Sequence, residues 1–143
     1  MRNHSAIKWL VACLLLLTLG QALWIISADA KPVLSAVVSA TPIGEHSAVY
    51  EVVSDGGGAT VPLVYLYFVA ERPRQDDELL QSLERLTPFL VTRQSGAVKQ
   101  VEGLTVVART QAQVYSFSSR TLLREGDATL PINIELSATT PEK

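Results

Sequence analysis

Residues 9–26, WLVACLLLLTLGQALWII, run for eighteen positions without a charge. As a helix this stretch reaches roughly 27 Å, close to the about 30 Å of a bilayer's hydrocarbon core. Arg2 and Lys8 precede it and SADA follows it. Two fates fit these features. A secretory signal has the same basic start and apolar centre, and Ala28 and Ala30 supply the small residues of a cleavage site ahead of Lys31. A retained transmembrane helix fits as well. The run exceeds the about 7–15 residues of a signal core, and Trp9 and Trp24 stand near its ends, where indoles favour the interface. Length favours retention, while Gly20 and Gln21 weigh against it. Orientation is the same either way, because basic residues on the amino-terminal side keep that end in the cytoplasm. The expectation is an anchor or signal segment, residues 1–30, meeting the inner (cytoplasmic) membrane through residues 9–26. An exported domain, residues 31–143, then faces the periplasm or exterior.

Cys13 is the only cysteine. It lies near the start of the apolar run, whereas a lipoprotein box would place it at the end, so it reads as a small apolar residue of the helix. The exported part has no cysteine and forms no internal disulfide, which leaves its core to hold it together. From Lys31 onward ten basic residues face thirteen acidic ones, scattered along the chain. Without a basic stripe to neutralise phosphates, nucleic acid is not an expected partner.

In the exported part KPVLSAVVSA alternates with the period of a half-buried strand until Pro42 and Gly44 break it. AVYEVVS predicts a second strand. Gly56, Gly57 and Gly58 follow, and then TVPLVYLYFVA, whose two faces are both apolar. Such a strand belongs in the middle of a sheet and needs cover on both sides. The glycines lack the lysine of a P-loop, since none follows until Lys99, and they lead into a strand rather than a helix, so no nucleotide loop is predicted. They read as a wide hairpin turn that also offers a contact surface.

RPRQDDELLQSLERLTP predicts a helix capped at Asp76, with Leu79, Leu80, Leu83 and Leu86 on one face and an end before Pro88. Beyond it FLVT, AVKQV, LTVVART, AQVYSFSS and LPINIELS read as strands. Ser95-Gly96 and Glu102-Gly103 read as turns, and Gly126 as the pivot of the charged turn REGD. In VYSFSS strict alternation places Tyr115 and Phe117 together on one face, opposite Val114 and Ser116. The expected fold class is α+β: a mostly antiparallel β-sheet with one amphipathic covering helix, preceded by the transmembrane or signal helix.

Catalytic chemistry is unmarked. His46 is the exported part's one histidine, without H-E-x-x-H or a cysteine pair, so neither a metal site nor a cofactor is expected. No G-x-S-x-G or S-x-x-K names a nucleophile, and the carboxylates are dispersed over turns and strand ends, so an unmarked hydrolase is the remote alternative. Two functional expectations follow. The first is a single-pass envelope protein acting through protein–protein contacts, of accessory or immunity type, that touches another envelope protein through a sheet edge or the glycine loop. The alternative is a cleaved, soluble exported module for a small ligand, lined by Tyr65, Tyr67, Tyr115 and Phe117.

Overall fold

The computed structural model describes residues 4–27, 33–56, 62–73 and 78–139, with side chains of the first stretch described for residues 7–21. The chain divides into two compact units, Met1–Lys31 and Pro32–Lys143. The first is helix α1, His4–Ser27. Trp9, Leu10 and Leu14 to Leu17 are exposed, and no apolar stripe is set apart on one side of the axis. Thr18 donates its Oγ1 hydroxyl back to the carbonyls of Leu14 (3.1 Å) and Leu15 (2.9 Å), so it needs no partner beyond its own helix. Among the described residues no helix is long and apolar enough to cross a membrane. The SADA motif lies outside the described residues, apart from Ser27.

The second unit is α+β. Its elements are β1 Leu34–Ile43, β2 Ser47–Ser54, β3 Val64–Glu71, α2 Leu79–Leu83, β4 Leu90–Thr92, β5 Val98–Glu102, β6 Thr105–Thr110, β7 Val114–Phe117, β8 Arg120–Glu125 and β9 Ala128–Ala138. Where one sheet was expected there are two, in the orders β1-β2-β3-β4-β7 and β5-β6-β9-β8. Strand pairing is antiparallel except between β6 and β9, which run parallel. One buried cluster is shared by both sheets. Ile43, Val49, Tyr67, Val69 and Leu90 come from the first, and Val106, Ala108, Leu123, Ile132 and Ile134 from the second.

β3 is central and covered on both faces, as its apolar pattern requires. Tyr67 and Val69 point into the shared cluster, while Leu66 and Phe68 join Leu34, Tyr50 and Val52 on the other side, closed by Leu79 and Leu83 of α2. Burial of such side chains is worth about 1.5–3 kcal/mol each. The strand begins only at Val64, with Pro62 and Leu63 exposed ahead of it.

Three expectations need correction. β1 does not stop at Ala40 but continues through Pro42, which is tolerated because β1 is an end strand bonded only to β2. Its alternation also fails, since register shifts between Leu34 and Ala36 and between Val37 and Ser39 leave Val38 exposed. Second, α2 is one short turn. Arg85 N and Leu86 N bond to carbonyls three residues back, which tightens the end of the helix and rotates Leu86 off the apolar face into solvent. Asp76 and Asp77 lie outside the described residues. Third, RTLLRE forms β8, a strand the sequence reading passes over because its apolar pair sits among charges.

Two leucines of the same predicted face should therefore behave differently. Leu83→Asp puts a carboxylate into a fully buried position and should cost more than about 3 kcal/mol in urea unfolding. Leu86→Asp, at a side chain 44 % exposed, should stay within about 0.5 kcal/mol of the parent.

Candidate functional site

The sites named from sequence are not gathered into one place. Gly56 is exposed beyond β2, and Gly57 and Gly58 lie outside the described residues. Tyr65 is half-buried and packs on the shared core, Tyr67 is fully buried, and Tyr115 and Phe117 are 48 % and 41 % exposed. Tyr67 and Phe117 stand in register with Leu90, one on either side of it, so β4 separates them.

Val114 departs from the expected alternation. Phe117 pairs with Leu90 and Val114 with Thr92, two β4 residues on the same side of the strand. Three residues of β7 therefore span two of β4, a bulge that reverses the alternation and puts Val114 with Phe117. No alternation rule applied to VYSF alone reveals this, because the bulge is a property of the pairing.

Tyr67 has a structural role. Its hydroxyl donates to the Gln94 carbonyl at 2.9 Å and accepts from Ala97 N at 3.0 Å, and its ring packs against Phe89. Burial holds the phenol well above its ordinary value of 10.0, and the neighbouring Glu51 carboxylate adds to the rise. Glu51, itself buried, accepts from Ser95 Oγ at 2.6 Å, from Gly96 N at 3.0 and 3.1 Å, and from Ser39 Oγ at 3.2 Å. These two side chains thus hold the Ser95–Ala97 crossing that carries the chain from the first sheet to the second. In sequence Glu51 is one of the carboxylates dispersed over turns and strand ends. Only its register opposite Tyr67 identifies it.

The four end strands differ in how they meet solvent. An open edge invites another strand, and charge, proline or a bulge commonly blocks it. β1 carries Pro42 and two register shifts, β5 has Lys99, Glu102 and a shift, and β8 has Arg120, Arg124 and Glu125. β7, VYSF, has a bulge between Ser116 and Val114 but neither charge nor proline, and exposes both its aromatics. Its inner side is fixed: Arg93 N donates to Gln113 O, Ser118 N donates to Phe89 O, and Thr92 Oγ1 donates to Gln113 O at 2.9 Å. Among the described residues no strand pairs with its outer side.

Among the described residues no group of three His, Cys, Asp or Glu side chains is placed to hold a metal ion. No family model matches this chain, and neither a curated protein nor a solved structure matches it. Function is therefore read from the site's own chemistry.

Glu51→Ala leaves the Ser95 hydroxyl and Gly96 N–H without their acceptor, and urea unfolding should show a loss of about 2–3 kcal/mol. Tyr67 supplies a pH dependence. Its folded pKa is raised, so its contribution is complete below about pH 10 and declines as the unfolded chain, and only later the folded one, releases the proton. Between pH 9 and 11.5 the urea midpoint should fall, and Tyr67→Phe should flatten that slope.

Proposed function

We propose that this is a single-pass, membrane-anchored envelope protein, amino terminus in the cytoplasm, whose exported domain acts by pairing the outer edge of β7 with a strand of another envelope protein. The observation that carries the reading is the contrast among the end strands: three bear charge or proline, while the fourth, bulged near Tyr115, bears neither and presents Tyr115 and Phe117 beside its unpaired side. Strand addition draws affinity from main-chain hydrogen bonds, and side chains flanking the edge supply selectivity. Exposed aromatics suit that second task, because a Tyr or Phe brings a large contact area at little cost in rotamer freedom.

The reading of an anchor rests on the eighteen uncharged residues 9–26 of the sequence and on the described side chains of α1, residues 7–21, which form no apolar stripe on one side. A helix apolar all round needs an apolar environment on every side. Internal satisfaction of Thr18 suits that environment, where water is absent to complete a hydroxyl's bonding. An accessory or immunity role is a form this contact can take.

Photocrosslinking side chains placed at Tyr115 and at Phe117 in intact cells should trap a discrete adduct, while the same probe at Leu122 on β8 should not. Phe117→Arg should weaken the contact by about 2 kcal/mol, roughly thirtyfold, with the stability of the domain held within about 0.5 kcal/mol. Absence of adducts at both β7 positions would overturn the reading. Mass spectrometry of cell fractions should find the intact chain in the membrane. A chain beginning at Lys31 in the soluble fraction would replace the anchor by a cleaved signal.

A further inference from the structure

Where β6 and β9 end and the chain crosses from β4 to β5, the surface is hollowed into an open groove of about 520 Å³. Lys99, Arg109, Gln94, Gln111, Ser137 and Thr139 contribute to its lining, and among the described residues no aspartate or glutamate does. A second hollow of about 550 Å³ shares Gln111 and Thr139 and adds Arg93. Lys99 and Arg109 thus line the one hollow and Arg93 the adjoining one, in a chain whose net charge is −2.

The hydrogen bonding already made there decides what the groove still offers. Gln94 Oε1 accepts from Gln111 N at 2.7 Å and from Thr110 Oγ1 at 3.0 Å, so the amide oxygen is committed to the protein and the NH₂ is left to donate. Thr110 Oγ1 is occupied by that bond and by Ala112 N at 3.1 Å. Lys99 Nζ gives one proton to Gly96 O at 2.7 Å, which fixes the ammonium and leaves further protons for a ligand. Arg109 has only donors. The Gln94 amide oxygen and the Thr110 hydroxyl are thus used inward, and Lys99 and Arg109 bring N–H donors and positive charge to the groove.

We infer that this groove binds an oxyanion, a phosphate or phosphate monoester or diester, held by Lys99 and Arg109 with the Gln94 amide and the Ser137 and Thr139 hydroxyls completing its hydrogen bonds. A phosphate oxygen accepts several donors at once, and charge-assisted bonds to guanidinium and ammonium are stronger than neutral ones. A cation or a metal ion is disfavoured by the same lining. The chemistry is shared by a free phosphate compound and by an anionic phospholipid headgroup, and the experiment separates these sources.

The full ¹⁵N-labelled chain in neutral detergent micelles is titrated with sodium phosphate, and with sodium chloride at matched ionic strength, while amide shifts are followed. Phosphate should give saturable shifts at Gln111 and Thr139 that chloride does not reproduce. Arg109→Gln should weaken them several-fold and Lys99→Gln with Arg109→Gln at least tenfold, with amide positions elsewhere unchanged. Arg120→Gln, at the start of β8, should leave the titration as it was. The same chain in nanodiscs of phosphatidylcholine alone or with phosphatidylglycerol tests the lipid source. Shifts at Gln111 and Thr139 that need phosphatidylglycerol and are lost in the double variant would assign the groove to a headgroup. Shifts shared equally by chloride, or unaltered in the double variant, would overturn the site, as would a lack of response to both phosphate and phosphatidylglycerol.

Discussion

β3 has no face to leave in water, and the domain is arranged around that constraint. Leu66 and Phe68 need one cover, and Tyr67 and Val69 need another on the opposite side. The domain has one short helix, α2, to offer among its described residues, enough for the first face, and the second is met by another sheet. The link between the sheets follows from the same strand. Tyr67 is too polar at its tip to be buried without partners, and the groups that satisfy it are Gln94 O and Ala97 N, on the segment where the chain passes from β4 to β5. Glu51, in register with Tyr67 on β2, fixes the same segment through Ser95 and Gly96. Burial of an apolar strand and placement of the crossing are therefore one event seen from two sides.

A second seam joins the sheets beside the first. Thr92 of β4 and Thr110 of β6 lie 3.3 Å apart at their hydroxyls, and Gln94 accepts from Thr110 and from the Gln111 backbone. At another point Glu125 of β8 reaches the β1–β2 turn, accepting from His46 N at 3.3 Å. A side chain at Gly44 would bring its Cβ to 3.3 Å from that carboxylate, and Gly44 has φ +67°, so both space and backbone call for glycine there. With no cysteine in residues 31–143, polar contacts of this kind supplement the apolar core in fixing one sheet on the other.

What was legible in the sequence is what depends on local pattern. Alternation located β1, strand-like apolar runs located β2, β3, β4, β5, β6, β7 and β9, and double-sided apolarity placed β3 centrally. Gly44, Gly96, Gly103 and Gly126, read as punctuation, all have positive φ. What was not legible depends on partners distant in the chain. Whether strands make one sheet or two is decided by which segments cross, and the Ser95–Ala97 crossing looks like any glycine turn until Tyr67 and Glu51 are seen to hold it. The bulges in β1 and β7 arise from pairing a longer strand segment with a shorter one, so the strand's own residues do not announce them. β8 escaped notice because only Leu123 of its two leucines is buried, and half an apolar pair among charges carries little periodic signal. The groove is hidden for a related reason: Lys99 and Arg109 lie on different strands and line one hollow only when β5 and β6 pair.

The consequence for function lies in how firmly β7 is held. An edge that orders itself only on binding must offset the loss of backbone freedom in about four residues, at roughly 1–2 kcal/mol each, before any contact becomes favourable. β7 has met much of that cost within the fold. Its inner side is paired to β4, Thr92 Oγ1 and Arg93 N both bond to Gln113 O just ahead of it, and Ser118 N bonds to Phe89 O just beyond. The bulge is fixed by the same register, so the orientations of Val114 and Phe117 are set before a partner arrives. A strand joining this edge contributes its own ordering cost and little of the domain's, which is the condition under which a short edge with two aromatics serves as a recognition surface.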